Sequence, residues 1–221
     1  MKLELYHILC VAAVTAYFIP LAIVLIRGLW RDSFFLLFAL YWASGGLINS
    51  PDLIPTFPAE VSYTMGVIYN LLDIPVILTI FHYTGSSQGV RKFARIGMVA
   101  IIVIELASVA LAGFDYNALK YTIGPGIVLV ITILVWEILR YLQHIEHSNR
   151  QTAKVFIYAA LLFEYATFIL IYIFDYFIVE SNREDSFLIY YISTVVAIII
   201  ASCGYLLSRK KYSYQSIPIR D

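Results

Sequence analysis

Apolar residues run along this chain in long blocks separated by short polar segments. A helix of about 20 mostly apolar residues spans a lipid hydrocarbon core. The pattern predicts seven such helices, at 5–28, 34–51, 61–84, 93–113, 119–143, 153–179 and 186–208. The second is the shortest and is interrupted by Gly45, Gly46 and Asn49. The fifth opens on TIGPG, Thr122 to Gly126, where Pro125 predicts a delayed or kinked start. The connecting segments are short, and none has room for a soluble domain.

Composition supports the same class. Of 221 residues, 61% are hydrophobic and 14% charged, with a mean hydropathy of +0.82. A soluble domain averages about 45–50% apolar and about 25% charged residues, so these runs read as membrane helices and not as one large core. Lys2 is the only basic residue before the first run, and no small-residue cleavage site follows, so that run is expected to be a retained helix. Cys10 and Cys203 lie far apart inside apolar runs and suggest neither a disulfide framework nor a zinc site. The expectation is an all-α integral membrane protein: a seven-helix bundle over 1–208 and a short basic tail at 209–221. It is multi-pass and placed in the cell membrane.

Charge orients this bundle. Twelve of the fifteen lysines and arginines fall at one end: Arg27, Arg31, Arg91, Lys92, Arg95, Arg140, Arg150, Lys154 and the four of the tail. Lys2, Lys120 and Arg183 fall at the other. The positive-inside rule then predicts an external N-terminus and a cytoplasmic C-terminus. Lys and Arg balance Asp and Glu over the whole chain, so nothing argues for a nucleic-acid partner. Membrane lipid is the expected surrounding, and SRKKY, Ser208 to Tyr212, is an anchor for anionic lipid at most.

Candidate chemistry lies in carboxyls inside the spans. A charged carboxylate at mid-depth costs about 2.5–3.5 kcal/mol by insertion scales. Asp73 is close to mid-depth in YNLLDIPVILTIF, Tyr69 to Phe81. Gly66, Asn70 and Asp73 recur at helical spacing with Tyr69 beside them, a polar stripe that should face the bundle. Pro75 removes a backbone donor and frees a carbonyl in the preceding turn. Glu164 is at similar depth in the sixth span. Asp175, eleven residues on, returns to the same face and extends an acidic track toward the outer surface. Glu105 is somewhat outside mid-depth in the fourth span. No lysine or arginine lies deep enough to neutralise these groups, and two acids in one low-dielectric space do not both ionise cheaply. Six deep tyrosines, Tyr17, Tyr69, Tyr165, Tyr172, Tyr190 and Tyr191, need hydrogen-bond partners, within helix contacts or along a polar cavity.

Other polar residues have plainer readings. Glu137 and Arg140 share a face near the cytoplasmic boundary and are expected to form a structural ion pair. His144 and His147 read as a solvated interfacial pair, since no HExxH motif is present. His7 is near the outer mouth of the first span. Gly45 and Gly46 are expected to admit a neighbouring helix closely.

Seven spans with an external N-terminus is also the topology of the rhodopsins. A retinal Schiff base needs a lysine deep in the last helix, and SFLIYYISTVVAIIIASCGYLL, Ser186 to Leu207, has none. No covalent retinal is expected. A ceramidase-like hydrolase would need several histidines at depth, and the four present lie near interfaces. The residues point to no catalytic set, metal site or cofactor. The leading expectation is a receptor-like or transporter-like protein with a polar cavity in the outer half of the bundle. That cavity would bind a small cationic or amphipathic ligand through Asp73, Glu164, Tyr69, Asn70, Glu105 and Asp175. The alternatives are a structural or partner-binding membrane subunit, and a lipid or isoprenoid enzyme using the intramembrane acids.

Overall fold

The computed structural model describes residues 2–54, 56–115, 119–177 and 183–208. Side chains at 2–5, 52, 59, 175–177 and 183–187 fall outside that description, as does the tail from 209 onward. The helices are α1 (Lys2–Ala16), α2 (Ile19–Ile26), α3 (Ser33–Asn49), α4 (Ala59–Thr84), α5 (Gln88–Ala112), α6 (Ile123–Leu142), α7 (Asn149–Phe177) and α8 (Arg183–Leu207). Among the described residues there are no strands.

Among the described residues, six segments are long and apolar enough to cross a membrane. One of them, Tyr6–Ile26, is built from α1 and α2 together. The two pieces join at Tyr17 and Phe18, just before Pro20 in the first turn of α2. The seventh expected span is α3, at 17 residues. That is about 26 Å of helix, slightly short of the hydrocarbon thickness.

The shortest of the expected spans, α3, is the most enclosed. Buried positions occur all round α3, at Phe34, Phe35, Phe38, Ala39, Tyr41, Trp42, Ala43, Gly45 and Gly46. It packs on α1, α2 and α4. Its aromatic rings also meet Tyr158 of α7 and Tyr205 of α8. The glycines do not interrupt it. They form its contact surface, because a Cβ on Gly46 would stand 2.7 Å from the Tyr17 Cβ. Between helices in lipid, close packing and hydrogen bonds supply the attraction that hydrophobic burial supplies in water. Small residues at the α1–α3 crossing serve that packing.

Other sequence features have local consequences. Helix α6 begins at Ile123, so TIGPG delays the helix, and Pro125 sits in the first turn, where its missing N–H leaves no bond unmade. Helix α4 continues through Pro75. Helix α5 lies at the periphery, packed mainly on α4 and α6, with Ile96, Val99, Val103 and Leu106 on its exposed face.

Polar contacts brace the basic end of the bundle. Asp32 caps α3 by accepting from the Phe34 amide at 3.1 Å. It also takes both arms of Arg150 on α7, at 2.7 and 3.1 Å. The Lys154 ammonium sits 4.4 Å from the Phe34 ring centre, and the Arg27 guanidinium donates to the Leu206 carbonyl.

The expected Glu137–Arg140 ion pair is not formed among the described residues. Glu137 is only 3% exposed. It turns into the bundle and accepts from the Ser86 backbone amide at 2.8 Å. The part-buried Ser86 amide at the α4–α5 turn finds its acceptor in a carboxylate on the facing helix. Arg140, three residues on, turns away. The two residues are therefore not interchangeable, since an arginine at 137 has no acceptor to offer Ser86.

Candidate functional site

The interior polar groups gather where α3, α4 and α7 meet. Asp73, 9% exposed, accepts from the Tyr41 hydroxyl at 2.7 Å on Oδ1 and from the Tyr165 hydroxyl at 2.9 Å on Oδ2. The two tyrosine oxygens are themselves 2.8 Å apart. The three groups close a triangle that ties three helices. Tyr69, one turn before Asp73 on α4, directs its hydroxyl toward the same carboxyl and lies close to Gly45 of α3.

Glu164 precedes Tyr165 on α7 and is 2% exposed. Its Oε2 accepts from the Trp42 indole at 3.0 Å. Its Oε1 makes no hydrogen bond among the described residues. The carboxyl is within electrostatic reach of Asp73, as the shared helices require: Tyr41 and Trp42 are neighbours on α3, and Glu164 and Tyr165 are neighbours on α7.

A second polar layer is formed by α1, α3 and α8. The Tyr17 and Tyr190 hydroxyls are 2.6 Å apart, and Asn49 donates to the Tyr190 oxygen at 3.2 Å. Thr194 is 3.4 Å from the Tyr17 hydroxyl. Tyr17 and the Tyr69 hydroxyl both pack on Gly45 of α3, 3.0 and 3.2 Å from where its Cβ would stand, so the two layers adjoin.

The structure therefore gathers some of the expected residues and separates others. Asp73, Glu164 and Tyr69 come together. Asn70 is half-buried and spends its amide on the Gly66 carbonyl of its own helix, at 2.8 Å. Glu105 is 8% exposed on α5 and makes no hydrogen bond or ion pair among the described residues. The Asp175 side chain lies outside the described residues. Tyr172 bonds the Lys120 carbonyl instead, and Tyr191 packs with Cys10, Ala13 and Val14. His7 is exposed, and His147 stacks on Tyr141 at 3.7 Å. No group of three or more histidines, cysteines or acids with metal-site geometry occurs among the described residues.

Tyr41 and Trp42 are important partners that the sequence pattern did not single out. Both lie in a span whose glycines drew attention first. A signal was present, since Tyr41, Gly45 and Asn49 recur every four residues and mark one polar, close-packed face.

No family model, curated protein or solved structure matches this chain.

Proposed function

We propose that this is a receptor-like or transporter-like membrane protein whose Asp73–Glu164 centre binds a small organic cation in exchange for a proton. The observation that carries this reading is the Asp73–Tyr41–Tyr165 triangle. It has three oxygen–oxygen contacts of 2.7, 2.8 and 2.9 Å, and each tyrosine supplies one proton. A third proton, on Asp73, completes the ring, so the site accommodates a neutral carboxyl and loses one bond when that proton leaves. A cation held by Asp73 and the free Oε1 of Glu164 would replace the proton's charge. The surrounding side chains are the aromatic Tyr17, Tyr41, Trp42, Tyr69, Tyr165 and Tyr190, which turn hydroxyls and an indole N–H toward the polar groups, and a largely aromatic surround suits an alkylammonium better than a strongly hydrated metal ion.

Access is assigned to the end opposite the basic one. There the helices are held over the centre by Tyr17, Tyr190 and Asn49, whereas bidentate and buried carboxylate contacts close the basic end. Eight described basic residues, Arg27, Arg31, Arg91, Lys92, Arg95, Arg140, Arg150 and Lys154, belong to that end, and the positive-inside rule supports a centre that opens outward, with an external N-terminus and a cytoplasmic C-terminus. Reporter fusions at Gln88, at Asn149 and at the C-terminus should all report cytoplasm. An external signal at any of them reverses this assignment.

The binding test uses tetramethylammonium as the probe on purified protein in nanodiscs. Addition should raise the unfolding temperature saturably and release protons into weak buffer. Because the cation competes with the proton, its apparent affinity should fall as pH falls. Glu164→Gln keeps the Trp42 acceptor and removes the charge, and it should weaken binding at least tenfold. A wild-type protein that neither binds the probe nor releases protons at any pH makes the triangle a structural brace between helices.

A further inference from the structure

We propose that the outward face of α6, at the basic end of the bundle, is a binding site for an anionic phospholipid with its phosphate on Arg140. This site is separate from the Asp73–Glu164 centre and does not depend on the reading given to that centre.

A groove runs along this face. Thr132, Val135 and Leu139 line its apolar part, and Trp136, Arg140, Gln143 and His144 line its polar end. Positions 136, 140, 143 and 144 recur at helical spacing and make one stripe. The Trp136 ring is set against Phe93 of α5, with centroids 6.2 Å apart, and its edge passes over Gly89. The indole therefore forms a wall between α5 and α6.

The charge pattern selects the occupant. Glu137, the acid nearest in sequence to Arg140 on this helix, is turned inward onto the Ser86 amide. Arg140 has no ion-pair partner among the described residues, and the groove lining contains no acid. Its polar end offers a guanidinium, an indole N–H, an amide and an imidazole, all able to donate. The C-terminal end of a helix carries partial negative charge, so the backbone does not attract an anion here and the side chains must. An anionic phospholipid fits both parts at once, with its phosphate at the donors and an acyl chain along Leu139 and Val135. A soluble anion would use only the polar end.

The test is native mass spectrometry of protein equilibrated with equal amounts of phosphatidylcholine and phosphatidylglycerol, then stripped of loosely bound lipid. The wild type should retain phosphatidylglycerol preferentially. Arg140→Gln should reduce that retention about fivefold, the effect of one basic residue at a membrane surface. Arg140→Lys, which keeps charge but loses the planar fork, should fall between them. Arg31→Gln removes an equal charge elsewhere at the same end and should change nothing. Equal losses in Arg31→Gln and Arg140→Gln would show diffuse surface attraction and overturn the site. So would retention without lipid preference. A dimer that disappears with Arg140→Gln would assign the face to a second copy of the chain.

Discussion

Asp73→Asn should fold as stably as the wild type yet lose its response to cation and to pH, whereas Asp73→Ala should unfold far more easily. The difference follows from the Tyr41–Asp73–Tyr165 triangle. An asparagine amide donates to one tyrosine oxygen and its carbonyl accepts from the other tyrosine. The first tyrosine then donates across to the second, so all three contacts keep a proton. The amide variant thus imitates a permanently protonated aspartic acid. Alanine removes the shared acceptor: one tyrosine can still donate to the other, but the second hydroxyl is left without an acceptor in a water-poor interior, which costs roughly 1–3 kcal/mol. Thermal unfolding in nanodiscs, read beside proton release on adding tetramethylammonium, separates the variants. If Asn destabilises as much as Ala, Asp73 works as an ionised brace and the exchange reading fails. Full proton release from Asp73→Asn would place the exchanging proton elsewhere.

The second large effect is steric. Gly46→Ala should destabilise the bundle by about 1–3 kcal/mol, the range for overpacking a filled site. The new Cβ meets the Tyr17 Cβ at 2.7 Å and the Phe18 ring at 3.0 Å. A Cβ cannot swing aside as a side-chain tip can, so the α1–α2 junction itself must move. That movement also separates the Tyr17 and Tyr190 hydroxyls over the polar centre. Gly97→Ala is the matched comparison. Its Cβ comes equally close, 2.7 Å, but to the flexible end of Leu129, and it should cost much less. Equal stability of the two variants would contradict the packing of α1 on α3.

The polar centre was half visible before folding. Asp73 and Glu164 stand out because a carboxyl in an apolar run is costly wherever it faces lipid, and both turn inward as that cost demands. Asn70 and Glu105 satisfied the same test of depth and polarity, yet neither joins the hydrogen-bonded centre. Asn70 illustrates the reason: an amide can satisfy itself on the carbonyl four residues earlier, and the sequence looks the same either way. Glu105 is buried too, but on a peripheral helix. Glu137 shows the complementary error. Spacing of three made Arg140 its natural partner, while the structure supplied a backbone amide from a turn 51 residues away.

The sequence by itself determined the class, the helices and the polar stripes. Apolar run length is a one-dimensional property, and a helix satisfies its own backbone hydrogen bonds in lipid without help from distant residues. The span boundaries therefore agree with the observed helices to within about five residues, the largest difference being the earlier start of α5 at Gln88, and the first span is broken at the joint between α1 and α2. Only the tertiary structure decided which helix lies at the centre and which carboxyl meets which hydroxyl. The short α3 is central because its small and aromatic residues fit all its neighbours, and fit depends on surfaces far apart in the chain. The triangle around Asp73 takes one side chain from each of α3, α4 and α7, the tyrosines lying 32 and 92 residues from the aspartate. No local pattern encodes that meeting, because it is fixed by how the helices cross.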